Sequence, residues 1–190
     1  KMPSPILASE LKFKEDYNIV FVGGPCANSL VEEFEEFPKC MDWPLRAGEA
    51  MIKFAKNGEN IAMLIAGTNA EDTKMATEFI KNGKYKGIKG TYVKIMDKEA
   101  EAIVPSFGDV DISDYPYPFI RDGKFQNMLL VVGDEAKGED TIGTLDIATN
   151  LMSIARTSVE AVNETELLEV SEVIEDEIPL GNNLADSNFF

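Results

Sequence analysis

The chain contains no histidine. That removes the commonest general base and the commonest transition-metal ligand. Hydrolases that depend on a Ser–His or Cys–His pair are excluded, and no enzyme is expected. Basic residues are scarce as well: 18 Lys and Arg stand against 34 Asp and Glu, a net charge of −16 over 190 residues. Nucleic acid is therefore not an expected partner, because a phosphate backbone is held by clustered Lys and Arg. An exterior this acidic favours solubility in salt and suits contact with cations. The apolar runs are strand-length, so no membrane span is expected. After Arg156 there is no Lys or Arg, while nine Asp or Glu follow. The chain starts at Lys1 without a signal-peptide pattern. Such a start is expected of a processed or excised piece and says nothing about secretion.

What is present is a repeated phrase. Asn18 to Val22 is an apolar run, followed by Gly23-Gly24-Pro25. Asn60 to Ala66 is followed by Gly67, and Met128 to Val132 by Gly133. Unbroken apolar runs of this length fit strands buried on both faces. The second and third copies also share a triplet, Glu71-Asp72-Thr73 and Glu139-Asp140-Thr141. The expected fold class is α/β, a mostly parallel sheet of repeated strand–Gly–helix units with helices on both faces.

The remaining elements follow from local pattern. Ala27 to Phe37 is expected as a helix with Leu30, Val31, Phe34 and Phe37 on one face. Gly48 to Lys56 reads as a short helix, stopped by Asn57-Gly58. A helix over Glu71 to Lys81 is capped by Asp72 or Thr73. Thr91 to Ile95 has strand composition and suits a sheet edge, and Ile103-Val104 can pair back. Tyr115-Pro116-Tyr117-Pro118-Phe119 cannot be regular helix, and its aromatics are expected to lie flat on the surface. A peptide groove there is the sharper reading. Asp140 to Ile154 is expected as the longest helix, burying Ile142, Leu145, Ala148, Leu151, Met152 and Ala155. The acidic stretch beyond it is either a strand or a disordered end.

Candidate sites are few. Glycine between a strand and a helix is how dinucleotide sites are built, but the third glycine is missing and no phosphate-loop Lys follows. Turn glycine is the better reading. Cys26 and Cys40 stand 14 apart. They either close a disulfide, worth about 3 kcal/mol for a loop of this size, or remain two buried thiols. An extracellular setting favours the bridge. Asn163-Glu164-Thr165 is a glycosylation sequon, which makes Asn163 a candidate acceptor. Asp109, Asp111 and Asp114, with Asp134 and Glu135, are the candidate ligands of a hard divalent cation such as calcium. Solvated acidic faces are the plainer reading of each cluster. No other cofactor is expected.

The segments Tyr17 to Val31 and Asn60 to Thr73, with their Val-Gly-Gly-Pro-Cys-Ala-Asn and Ile-Ala-Gly motifs, resemble the C-terminal segment of archaeal S-layer proteins of the methanogen and Thermococcus type. Tyr115 to Phe119, Asp122 to Phe125 and Val131 to Ala136 resemble the N-terminal segment of the same proteins. Together they cover most of residues 17 to 155. Cys26 stands where that family has a small aliphatic residue, and the two segments come in inverted order. A natural tandem variant or an engineered fusion or permutation would each give that order. The resemblance implies a single α/β domain over residues 1–157, with 1–104 from the C-terminal-like and 105–157 from the N-terminal-like segment. Residues 158–190 would be an acidic extension or the start of a further domain. The implied function is structural: an extracellular cell-wall protein of an archaeal surface lattice, associating with other copies of itself and bridged by divalent cations. The alternatives are a wall-polymer-binding surface module and, less favoured, a nucleotide-binding α/β protein.

Overall fold

The computed structural model describes residues 5–96, 99–104 and 110–176, with side chains described up to residue 158 but not at 99, 100 and 102–104. The chain forms β1 (Ile6–Leu7), β2 (Asn18–Val22), β3 (Glu49–Asn57), β4 (Asn60–Gly67), α1 (Ala70–Lys81), β5 (Tyr92–Met96) and β6 (Glu99–Val104). It continues with the short hairpin β7 (Ile120–Arg121) and β8 (Lys124–Phe125), then β9 (Met128–Val132) and α2 (Gly138–Asp176). Seven strands make one sheet in the order β1-β9-β2-β4-β3-β5-β6. β1, β9, β2 and β4 are parallel, and β3, β5 and β6 alternate in direction beside them. The sheet is thus mixed but mostly parallel, and the fold is α/β.

The centre of the sheet explains the three apolar runs. β2 is buried along its whole length, because β9 and β4 flank it and both its faces are covered. Alternate residues serve opposite layers, as the strand period of two requires. Val20, Val22, Ile52, Phe54, Met63, Ile65 and Leu130 face α1 and α2. Ile19, Phe21, Met51, Leu64 and Val131 face the other way.

Both α-helices lie on one face. α1 and α2 pack against each other, with Ala76, Phe79 and Ile80 of α1 and Ile147, Ala148 and Leu151 of α2 in the same core. The opposite face is covered by irregular chain: a 3-10 turn at Ala8–Glu10, another at Ser29–Glu33, and the loop bearing Phe34, Phe37 and Leu45. The expected helices on both faces, and the helix over Ala27 to Phe37, are therefore replaced on this side. Pro25 and Pro38 bracket the segment, and Phe34 and Phe37 turn inward onto Phe21 at ring separations of 5.5 and 6.3 Å. Of the three repeated units, the second and third lead into an α-helix and the first does not.

Gly48 to Lys56 is not a helix but the strand β3, paired on both sides by β4 and β5. A strand buried on two faces shows no polar alternation, and Ala50, Met51, Phe54 and Ala55 mimic a helical face. Asn57-Gly58 is a hairpin turn, with Asn57 opposite Asn60 and Gly58 at φ 61°. That positive φ at the first central position suits a two-residue hairpin. β5 lies inside the sheet rather than at its edge, with β6 outside it and Val104 opposite Tyr92. The cap of α1 is Asn69, whose Oδ1 accepts from Asp72 N at 2.9 Å. Asp72 and Thr73 are both buried.

The aromatic Pro-rich segment does not lie flat on the surface. Phe119 is fully buried against Phe54, and Tyr115 is buried against Tyr85, their rings 5.1 Å apart. Only Tyr117 of the three is exposed. On α2 the buried stripe is Asp140, Thr144, Ile147, Ala148, Leu151 and Ala155. Ile142, Leu145 and Met152, expected inside, are exposed. Gly143 lets α1 come close: a Cβ there would stand 3.0 Å from Thr77 Cγ2. The helix axis is thereby rotated to bring small and polar residues inward. α2 runs through residue 158 to Asp176, so the acidic stretch up to there is helix, neither strand nor disordered end. Its 39 residues make a rod of about 58 Å.

The segment after residue 110 is woven into the first. β9 enters between β1 and β2, with Val131 opposite both Ile6 and Phe21. No helix among the described residues is long and apolar enough to cross a membrane.

Candidate functional site

The sheet's parallel strands β2, β4 and β9 all end at the same rim, in Gly23-Gly24, Gly67 and Gly133. The crevice outside the carboxyl ends of parallel strands is where open α/β sheets hold ligands. Here it forms a cleft of about 290 Å³, lined among others by Gly24, Trp43, Thr73, Glu135, Lys137 and Asp140. That lies at the lower end of ligand pockets.

The glycines serve the turns that shape this rim. A Cβ on Gly67 would stand 2.3 Å from Asp72 Cβ and 2.4 Å from Thr73 N. One on Gly133 would lie 2.0 Å from the Ala27 carbonyl oxygen. Both positions therefore require glycine so that the helix starts and the Ala27 turn approach closely. Gly24 differs. Its Cβ would meet only Gly67 O and the Trp43 ring, both at 3.7 Å, which is ordinary contact.

The indole of Trp43 is fixed by its polar tip. Nε1 donates to Thr68 Oγ1 at 3.1 Å, and that hydroxyl donates to the Arg46 carbonyl at 2.8 Å. The starts of α1 and α2 both face the cleft, through Ala70 and Thr73 on one side and Lys137 and Asp140 on the other. The repeated triplet places an aspartate at the third position of each helix. Asp72 accepts from Gly48 N with both oxygens, at 3.2 and 3.1 Å. Asp140 accepts from Lys137 N through Oδ2 at 3.3 Å, whereas its Oδ1 is buried without a partner.

The cation candidates fall in two places. Asp111 Oδ1 accepts from Gly90 N at 2.7 Å, and its Oδ2 lies 3.4 Å from Lys89 Nζ. Asp114 Oδ2 accepts from Asp111 N at 2.7 Å. Asp134 and Glu135 follow β9, whereas Gly90 precedes β5, four strands away and at the opposite rim of the sheet. Asp134 accepts from Ser9 Oγ at 2.6 Å. Asp109 lies outside the described residues, and so does the side chain of Asn163, whose backbone is within α2. Among the described residues no three Cys, Asp or Glu side chains converge to hold a metal ion. Cys26 and Cys40 are joined as a disulfide, closing the loop that covers the helix-free face. No local sequence pattern marks the cleft itself. Its separate signals are the single tryptophan and the repeated Glu-Asp-Thr triplet.

Residues 1–82 match the model of the S-layer like family, outer domain. The matched span runs from β1 through α1 and leaves out β9 and α2. No curated protein and no solved structure matches the chain. Likeness of this segment to an S-layer outer domain points to a structural role in a surface layer, at the cell surface or outside it.

Proposed function

We propose that the chain is part of an archaeal surface-layer lattice of the methanogen and Thermococcus type, associating side to side with other copies of itself in the cell wall. The observation that carries this reading is the match of residues 1–82 to the S-layer outer domain. A net charge of −16 makes close packing of copies repulsive unless cations screen or bridge it. Bridging would join carboxylates of neighbouring copies, with calcium the expected ion.

Light scattering of the full-length native protein tests this, after chelation and then with added calcium. Growth of sheets or large oligomers on adding calcium is the expected result. A monomer indifferent to calcium removes the cation mechanism. Saturable binding to a wall glycan without self-assembly would transfer the assignment to a polymer-binding surface module.

A further inference from the structure

We propose that the cleft between Trp43 and Asp140 binds a single neutral sugar ring. This does not rest on the lattice reading and would hold for an isolated copy.

The unpartnered Asp140 Oδ1 carries the argument. Asp140 is 6% exposed and lines the cleft. A buried charged acceptor without a donor is costly, so such a group marks a place where a donor belongs. The chain supplies its own comparison. Asp72, in the same position of the repeated triplet, has both oxygens facing the Gly48 amide. The fold satisfies this aspartate at α1 and leaves one oxygen unpartnered at α2, in a residue that lines the cleft.

The charge of the cleft selects against an ion. Glu135 and Asp140 are negative and Lys137 is positive, and all three line it. Two helix N-termini add about half a positive charge each. The balance is close to neutral, which favours neither phosphate nor a free cation. What the site lacks is a neutral donor for Oδ1. The volume of about 290 Å³ suits one ring and is too small for a dinucleotide.

Trp43 supplies the apolar side. Its six-membered ring stands beside Gly24 and lines the cleft, while Nε1 is engaged by Thr68. An indole so held offers carbon surface rather than a polar group. Carbon surface, a buried carboxylate acceptor and the exposed Lys137 and Glu135 in one lining describe a ligand with C–H faces and several hydroxyls. That is a sugar, either free or as the terminal residue of a glycan.

Trp43 is the only tryptophan in the chain, so its emission reports on this cleft alone. The full chain is titrated with glucose, galactose, mannose and N-acetylglucosamine, and with methylammonium as a cationic control. The expected result is a saturable change with at least one sugar, with Kd in the millimolar range, and none with methylammonium. Asp140→Asn keeps an oxygen for Lys137 N but replaces the open acceptor, and should weaken binding about tenfold. Gly24→Ala adds a methyl beside the Trp43 ring without a clash, and should weaken it with unchanged Tm. Methyl glycosides binding as well as free sugars would indicate a glycan terminus; loss on methylation would indicate a free monosaccharide. No response to any sugar in a folded protein overturns the proposal. So does a response only to methylammonium, or sugar binding equal in both variants and the parent.

Discussion

Ser9 and Asp134 meet twice across 125 residues of sequence: the Ser9 hydroxyl donates to Oδ1 at 2.6 Å and the Ser9 amide to Oδ2 at 3.1 Å. The pair locks the short strand β1 onto the end of β9. It also engages a carboxylate that the sequence offers as a cation ligand. Replacing Asp134 with Ala leaves the Ser9 amide to water on an exposed rim. The expected loss is about 1 kcal/mol, or a fall in Tm of about 2–4 °C. Thermal unfolding of Asp134→Ala checks it, and Ser9→Ala should lose less because the amide bond persists.

The disulfide should stabilise through the loop it closes. Cys26 and Cys40 enclose Val31, Phe34 and Phe37, which cover Phe21. Opening the bridge frees that cover in the unfolded chain at a loss of about 3 kcal/mol. Urea unfolding of the Cys26→Ser, Cys40→Ser double variant should show the midpoint falling. An unchanged midpoint would mean that the aromatic cover alone holds the loop.

The rim glycines should divide sharply. Gly133→Ala places a methyl against the Ala27 carbonyl and Gly67→Ala against the backbone of Thr73. Neither neighbour is a flexible side-chain end, so each should cost about 3 kcal/mol or more. Gly24→Ala meets only ordinary contacts and should cost less than about 1 kcal/mol. Denaturant midpoints of the three variants give the comparison directly.

Alkaline pH should weaken the fold through Tyr115. Its phenol is buried, and desolvation holds its pKa well above the ordinary phenol range, with Tyr85 adding to the effect. A phenol whose folded pKa is raised contributes stability that is complete below its unfolded pKa. That contribution is lost as pH rises above about 10, where the unfolded chain releases the proton more readily. Tm should therefore fall above pH 10. Tyr115→Phe should flatten that fall, while losing about 1 kcal/mol at neutral pH with the hydrogen bond to Asn150 Oδ1. An equal alkaline fall in the variant would assign it to Tyr85 and Tyr92, whose pKa values burial also raises.

The parts of this fold legible in the sequence are those where one local rule decides. β2, β4 and β9 are unbroken apolar runs because neighbours cover both their faces. α1 has a clean stop at Asn82-Gly83, although its cap is Asn69 rather than the expected Asp72 or Thr73. The parts that mislead are those where tertiary contact decides. β3 carries apolar residues on both faces, which hides its period of two. Leu30, Val31, Phe34 and Phe37 keep a helical spacing, yet two prolines and a disulfide hold them in turns. On α2 the inward face is Asp140, Gly143 and Thr144, which only the proximity of Thr77 and Gly23 makes favourable. Ile142 and Leu145 look like core until that rotation is known. The cleft joins Trp43 to Asp140 across 97 positions, a separation no local pattern bridges.

The two resembling segments should depend on each other. β9 forms the ladder between β1 and β2, and α2 covers α1 with Ile147 and Leu151. Without residues 105–190, β2 becomes an open edge, and Val20, Val22 and Met63 lose part of their cover. Such an edge, apolar and unpaired, favours aggregation. Without residues 1–104, β9 has no partner strand and α2 no core. Expressed separately, each piece should be unfolded or aggregated by circular dichroism. Expressed together, they should assemble into one species with the far-ultraviolet spectrum of the intact chain. A stably folded, monomeric 1–104 piece would show that β9 and α2 are accessory to the sheet, not part of its core.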